Sequence, residues 1–433
     1  MRRLTGIGRL FTGTPAGIIE KASVIVDDER IAWCGREGDE PLDLLGYVSE
    51  DEDCAGGLVT AGLIDAHTHP VYAGNRMAEV AMRTAGASYS DVAKAGGGIR
   101  ATVKATREAS PAALEEAAGL RLKRWLEGGA TTVEAKTGYH LEREGELEST
   151  RILARLGQRT DLPRIEVTFL AAHALPPDRG ANLGKYAKEV ARWCPDAHQA
   201  GARFCDVFCD QGYFSVDQSR HILKAALEAK LIPRIHADEL ARTGGSRLAA
   251  ELHAVSADHL LCANRSDAVA LARAGVVATL APGTAISIGR LPPVKELLGA
   301  GAAIALGTDH NPGTSGITSM SLVIAMAVGV FKMSARAGAD RRDSGRRPVN
   351  FALGSGCNCS FDARRPRALG GRSRGRFCLG FRSEAAPSVA RWSSNRVINV
   401  ARKRQTMYKL LTKDRRLTIR FTKMRSWRNL FSG

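Results

Sequence analysis

Asp65-Ala66-His67-Thr68-His69 sets two histidines two apart at the end of an apolar run, Gly57-Leu58-Val59-Thr60-Ala61-Gly62-Leu63-Ile64. On an extended backbone, residues i and i+2 project to the same side, so His67 and His69 can offer two imidazoles to one point. That is a metal-ligand geometry, although strand-end histidines with ordinary hydrogen bonds would share the spacing. Residues further along the chain decide between the two. His236 lies in Ile235-His236-Ala237-Asp238-Glu239, His259 in Ser256-Ala257-Asp258-His259, and Asp309 in Leu306-Gly307-Thr308-Asp309-His310-Asn311-Pro312. Three imidazoles and one carboxylate can hold one Zn²⁺ or Fe²⁺ with a water completing the coordination. A metal so held lowers the pKa of that water, and a nearby carboxylate or imidazole can take its proton. Singly, each residue has a plainer account: His259 as a satisfied structural histidine, Asp309 as a turn cap, Glu239 as a solvated rim charge. The joint pattern is much harder to obtain by chance.

These residues can meet only if the intervening chain brings them together. Apolar strand candidates ending in polar residues recur at Leu58–His69, Thr131–Tyr139, Ile165–His173, Phe204–Asp210, Ile232–Glu239, Ala254–His259, Val276–Pro282 and Ala303–Asp309. Amphipathic stretches such as Pro111–Glu127 and Ser215–Ala229 lie between them. Eight strand–helix units predict an α/β fold, a (β/α)8 TIM-type barrel over 58–330, with a doubly wound open sheet as the runner-up. In a closed barrel the C-terminal strand ends share one face, which is where the polar residues fall. Residues 1–57 carry short strand-like pieces, Ala22–Val26 and Arg30–Trp33 among them, and predict a small β-domain.

The net charge of +17 is unevenly spread. Residues 331–433 hold 26 Lys and Arg against 5 Asp and Glu, a net of +21; residues 1–330 hold 36 against 40, a net of −4. A nucleic-acid argument from basicity therefore applies to the tail alone, where nucleic acid or an acidic partner could bind, and not to the body. No apolar run has the length of a membrane span, so no membrane partner is expected. Met1-Arg2-Arg3-Leu4 is basic but lacks the apolar core and cleavage site of a signal peptide. Nine cysteines in a long chain point to reduced thiols and a cytoplasmic location rather than to a disulfide framework.

Other motifs carry less. Cys205 and Cys209 read as core thiols. Gly96-Gly97-Gly98 lacks the Lys-Ser/Thr of a phosphate loop and reads as a turn. His140, His198, His221, His253 and His310 need no catalytic role.

The His-x-His on the first strand, His on the fifth and sixth, and Asp on the eighth resemble the amidohydrolase superfamily and, within it, the imidazolonepropionases. The segments that carry the resemblance are Asp65–Pro70 with Ala73-Gly74-Asn75-Arg76, Gly96–Ile99 followed by Thr102-Val103, and Glu134–Tyr139. Phe169–His173, His236–Glu239 and Gly307–Thr314 complete them, and the likeness runs from near the N-terminus to about residue 333. It implies one divalent metal, Zn²⁺ or Fe²⁺, on His67, His69, His236 and Asp309. It implies hydrolysis of 4-imidazolone-5-propanoate to N-formimino-L-glutamate in histidine degradation, so the partner is a small-molecule substrate. Arg76 would pair with the propionate; Tyr89, Tyr139 and His173 would line the substrate site; Asn311, Gly313 and Thr314 would offer polar contacts. Glu239, which would also touch substrate, and His259 would move protons or position water, with Asp309 a further base. Lys136 is read as structural or electrostatic, not as a carbamylated metal bridge. The same metal set would serve an aminohydrolase acting on a purine-like ring, and a homodimer is left open.

The last hundred residues depart from the resemblance. Family members usually end with a segment that completes the small β-domain, whereas 331–433 is an atypical run of Arg, Gly, Ser, Pro and Cys. Two accounts fit: a change of reading frame near 330–345, which is preferred and could leave the product inactive, or a genuine basic extension. If the tail is unstructured, the small β-domain lacks partner strands, and exposed edges prone to aggregation are the expected consequence.

Overall fold

Parallel pairing in a barrel buries both faces of each strand, and the barrel strands here are buried along most of their length. The structure, a computed structural model, describes residues 1–13, 17–28, 30–86, 97–177 and 182–333 together with the strand 377–381. Eight strands run in chain order: β6 (Leu63–Thr68), β7 (Ala130–Lys136), β8 (Arg164–Ala172), β9 (Phe204–Cys209), β10 (Ile232–Ala237), β11 (Ser256–His259), β12 (Val277–Leu280) and β13 (Ile304–Leu306). Each pairs in parallel with the next. The last returns to the first through a parallel bridge between Thr68 and His310, with Asp309 N–H donating to His67 O and His69 N–H to His310 O, both at 2.9 Å. This is the TIM-type barrel expected, not the open sheet.

The helices wrap the barrel for local reasons. Pro111–Glu127 starts with Pro at its first turn and Ser110 capping Ala113 N–H, and it buries Leu114, Ala118, Leu122 and Trp125. Val216–Glu228 opens on a capping box between Ser215 and Gln218 and buries Ile222, Leu223 and Ala226. Among the described residues no helix is long and apolar enough to cross a membrane.

A second sheet contains β1 (Arg2–Phe11), β2 (Ile18–Asp27), β3 (Arg30–Arg36), β4 (Glu50–Asp53), β5 (Leu58–Ala61) and β14 (Phe377–Phe381). β1 is antiparallel to β2 and parallel to β4 and β5. Leu4, Ile7, Leu10, Ala22, Val24 and Val59 form its apolar core. The stretch expected as one strand, Leu58–His69, is therefore two. β5 joins the small sheet and β6 the barrel, and the chain changes sheets at Gly62. A Cβ at that position would lie 2.0 Å from Thr131 Oγ1, so only glycine lets the backbone pass this close to β7. The tail also differs from expectation: β14 pairs antiparallel with β5, Phe377 opposite Ala61, and covers an edge expected to be bare.

Asp65 ties the first strand to the last. Its Oδ1 accepts from Thr308 N–H at 2.9 Å and from His67 N–H at 3.3 Å, and its Oδ2 from Trp125 Nε1–H at 2.7 Å. Asp65→Ala strands these donors in the interior. The expected cost is about 3 kcal/mol of stability, the scale of one or two buried donors left unmade. A urea-melt midpoint unchanged from the parent would count against this role.

Candidate metal centre

The strand ends bring together the residues whose types suggested metal chemistry. His67 Nε2 and His69 Nε2 lie 3.2 Å apart, and Asp309 Oδ1 lies 3.4 Å from each. Ligands about 2.1 Å from a tetrahedral metal are separated by roughly 3.4 Å. Three buried donor atoms at that spacing are thus placed as a coordination triangle would place them. His236 stands beside them, its ring centroid 4.5 Å from that of His67 and 5.5 Å from that of His69. Its buried Nε2 has no hydrogen-bond partner among the described residues. A buried imidazole nitrogen without a partner is costly unless something absent completes it. The donor set therefore fits a divalent metal. His259 packs against the same group, 4.9 Å from His67 and 5.0 Å from His236 between centroids, so it borders the centre as well.

Two of the histidines have a buried carboxylate beside their other ring nitrogen. His67 Nδ1 is 2.7 Å from Asp258 Oδ2, and His236 Nδ1 is 2.9 Å from Asp206 Oδ2. The Asp258 carboxylate keeps the proton on His67 Nδ1 and turns its Nε2 lone pair outward, the orientation a metal ligand needs, while Asp206 stands beside His236 Nδ1 as a charge partner without an aligned hydrogen bond. The carboxylates are held in turn. Lys136 Nζ is 2.8 Å from Asp206 Oδ2, 2.8 Å from Glu134 Oε1 and 3.5 Å from Asp258 Oδ2; Arg234 Nη2 is 3.3 Å from Asp258 Oδ2. Burial pulls the Lys136 ammonium down, but Asp206 and Glu134 outweigh it and leave the pKa raised. Burial pushes Asp258 up, but Arg234 and Lys136 hold it well below the usual carboxylate range. An ammonium so enclosed is not a free amine for carbamylation.

Above the triangle lies an aromatic wall. His173 stacks on His69 with centroids 5.1 Å apart and planes 17° from parallel, and Tyr139 stands 5.8 Å from His69 and 5.2 Å from His173. His173 Nδ1 contacts Gly138 O at 3.0 Å. Glu239 is buried on the far side, its Oε1 3.8 Å from His259 Nδ1. Burial, with Asp309 and Asp210 nearby, pushes its carboxyl up to about 8. Asn311 organises the loop after Asp309: its Oδ1 accepts from the N–H of Gly313 at 2.8 Å and of Thr314 at 2.7 Å, and its Nδ2 donates to Asp309 O at 2.7 Å. Arg76 abuts that loop at Gly313. Tyr89 lies outside the described residues.

Several residues at the centre were not singled out from sequence. Asp206 and Arg234 sit inside otherwise apolar strands, Asp258 directly precedes His259, and Thr284 donates to Asp309 Oδ2. Charged residues within near-continuous apolar strands were the available signal, since such groups are buried only when paired. Asp210 was visible as a strand end, but its role was not. It accepts from the backbone N–H groups of Glu239, Leu240 and Ala241 at 2.7, 2.9 and 3.0 Å.

No family model matches the chain. It is 42% identical over 324 residues to an imidazolonepropionase of Shouchella clausii, covering 73% of this chain and 72% of that protein. It is 44% identical over 316 residues to an imidazolonepropionase of Geobacillus kaustophilus, covering 72% and 74%. Among solved structures it resembles an adenosine deaminase from Xanthomonas campestris with bound zinc, at TM-score 0.57 and 16% identity over 76% of this chain and 74% of that one. An atrazine chlorohydrolase from Arthrobacter aurescens, complexed with zinc and atraton, gives TM-score 0.56 at 17% identity over 76% of each. These two likenesses are of fold.

Lys136→Met removes the ammonium on which three buried carboxylates converge. Its expected cost is about 3–5 kcal/mol, the scale for breaking a buried pair from one side. Asp258→Asn should fold but bind Zn²⁺ about 10–100-fold more weakly, because the acceptor on His67 Nδ1 loses its negative charge and no longer raises the basicity of the ring. Chelator-competition titration reads the second effect, and parental affinity would refute it.

Proposed function

The chain belongs to the imidazolonepropionase family, and on that premise we propose that it hydrolyses the ring C–N bond of 4-imidazolone-5-propanoate to N-formimino-L-glutamate, a step of histidine degradation. The observation that carries this reading is the approach of Arg76 to the Asn311–Thr314 loop, which leads directly from Asp309. A guanidinium beside a metal centre suits a substrate that carries a carboxylate on a planar ring. A neutral purine-like ring has no use for it.

His67, His69, His236 and Asp309 are the proposed ligands of one Zn²⁺ or Fe²⁺, and residues 58–330 the catalytic unit. When bound, such a cation supplies Lewis acidity, polarising a carbonyl and easing ionisation of water. The chain's own residues do the rest. Tyr139 and His173 bound the volume in front of His69 and exclude bulk water from the ring. Arg76 takes the propionate. Asn311, Gly313 and Thr314 meet the polar edge of the substrate, with Tyr89 as a further lining residue. Hydrolysis adds one water across the C–N bond, so one proton must leave that water and one must reach the departing ring nitrogen. Asp309 is the proposed acceptor. Glu239, whose carboxyl exchanges a proton near neutrality, is the proposed carrier to nitrogen, with His259 fixing its position. The cytoplasm, where small metabolites of this kind are processed, is the proposed location.

Asp309→Asn should lower kcat on 4-imidazolone-5-propanoate by about 10³-fold or more, the loss of a proton acceptor and a metal ligand together. Turnover by the metal-loaded parent, followed as loss of the imidazolone absorbance, checks the substrate. Folded, metal-loaded parent that leaves the compound intact would reject it.

A further inference from the structure

Arg76 is held on two sides. Its Nε and Nη2 donate to Glu79 Oε1 and Oε2 at 2.8 and 2.7 Å, a side-on bidentate pair. Glu79 is 5% exposed, and its Oε1 also accepts from Gly98 N–H at 2.7 Å, at the start of the helix Ile99–Glu108. The carboxylate is thus anchored to a second segment. Across the guanidinium lies Gly313, where a Cβ would fall 2.2 Å from Arg76 Nη1 and 2.6 Å from Cζ. Gly313 is itself pinned through the side chain of Asn311, which also holds the carbonyl of Asp309.

We propose that Glu79 is a positioning residue for recognition of the substrate's carboxylate, and that Gly313 sets how close the guanidinium may come to the metal centre. The inference rests on the reading that Arg76 takes that carboxylate. A guanidinium has five donors in a rigid fork, and an unrestrained arginine loses rotamer freedom whenever it captures an anion. Glu79 engages one edge in advance. The donors that a carboxylate can reach are then set by Glu79 and not by the flexibility of Arg76. The pair also has little net charge, so capture depends on short-range, directional hydrogen bonds more than on long-range attraction. That favours a planar carboxylate presented at the correct distance from the ring over anions in general.

The test uses the full-length, metal-loaded protein with two probes: imidazole propionate, which carries the carboxylate, and its primary amide, which does not. Glu79→Gln keeps the size and one acceptor but loses the charge. Gly313→Ala pushes on Nη1. Both should raise KM for the imidazolone substrate and Ki for imidazole propionate by about tenfold; with Glu79→Gln, Ki for the amide should change less than about twofold and kcat less than KM. A merely structural role would weaken both probes alike, and that result overturns the proposal. Tighter binding of imidazole propionate to Glu79→Gln also overturns it, since Glu79 would then be a competitor for Arg76 and not its guide. If Glu79→Gln does not fold, Glu79→Asp, which keeps the charge but draws the carboxylate back from Arg76, carries the same discrimination. Arg76→Ala separates the two levels. Unchanged Ki for imidazole propionate in that variant defeats the reading of Arg76 itself. A large rise there, with no selective effect of Glu79→Gln or Gly313→Ala, defeats only the role given to Glu79 and Gly313.

Discussion

The histidines at the centre can face one point only because a sealed layer of charge lies under them. Glu134, Asp206 and Asp258 share the barrel interior with Lys136 and Arg234, and all are buried. In that low-dielectric space an unpaired ion would cost several kcal/mol, so each charge is viable only while the others stay in place. The layer has more carboxylates than cations. Negative charge left over beneath the imidazoles suits a site that must accept a divalent cation from above. One of these carboxylates, Asp258, also fixes the tautomer of His67, and Asp206 stands beside His236. Charge balance and ligand orientation are therefore one constraint, and it reaches β7, β9, β10 and β11 at once.

The strand ends above that layer depart from ideal backbone. Asp238, His259 and Asp309 have φ of 51°, 72° and 46°, the left-handed region that residues with a side chain seldom enter. Each such residue stores on the order of 1–3 kcal/mol. The surroundings hold them there. Asp309 N–H is taken by His67 O, and the Asp238 carboxylate accepts from the backbone of Thr243, Gly244 and Ser246. At His259 and Asp309 the side chain then stands among the histidines of the centre, whereas at Asp238 it closes the following turn.

The barrel and the metal-compatible set were legible because they are written in periodicity. Polar residues end apolar runs at near-regular intervals, and His67 and His69 share a face by the two-residue repeat of a strand. What was illegible depends on distance in space. Gly62 divides a continuous apolar run between two sheets, and the reason lies in Thr131, far along the chain. Glu79 looks like any helix carboxylate until Gly98 and Arg76 are seen to close on it. The composition of the tail predicted no return to the small sheet, yet five of its residues, Phe377–Phe381, add to β5. An edge strand needs only free backbone groups on its neighbour, a requirement that leaves little trace in composition.

The structural neighbours sharpen where specificity must reside. A deaminase of adenosine and a hydrolase of atrazine share this barrel at 16% and 17% identity, so the scaffold does not choose the substrate. Nor does a metal triangle of imidazoles and a carboxylate, which is suited to activating water for attack on many rings. Discrimination has to come from groups that stand off the triangle and meet what differs between rings. The groups that stand off the triangle here are Tyr139 and His173 beside His69, and the Arg76–Glu79 pair with the Asn311 loop; they are the ones proposed to meet the substrate. They come from the segments just after β7 and β8, from Arg76 with the helix Met77–Thr84 that carries Glu79, and from the loop after Asp309, rather than from the charged layer below. The rim and the buried ions that keep the centre assembled are thus built from different residues, so a change at one need not disturb the other.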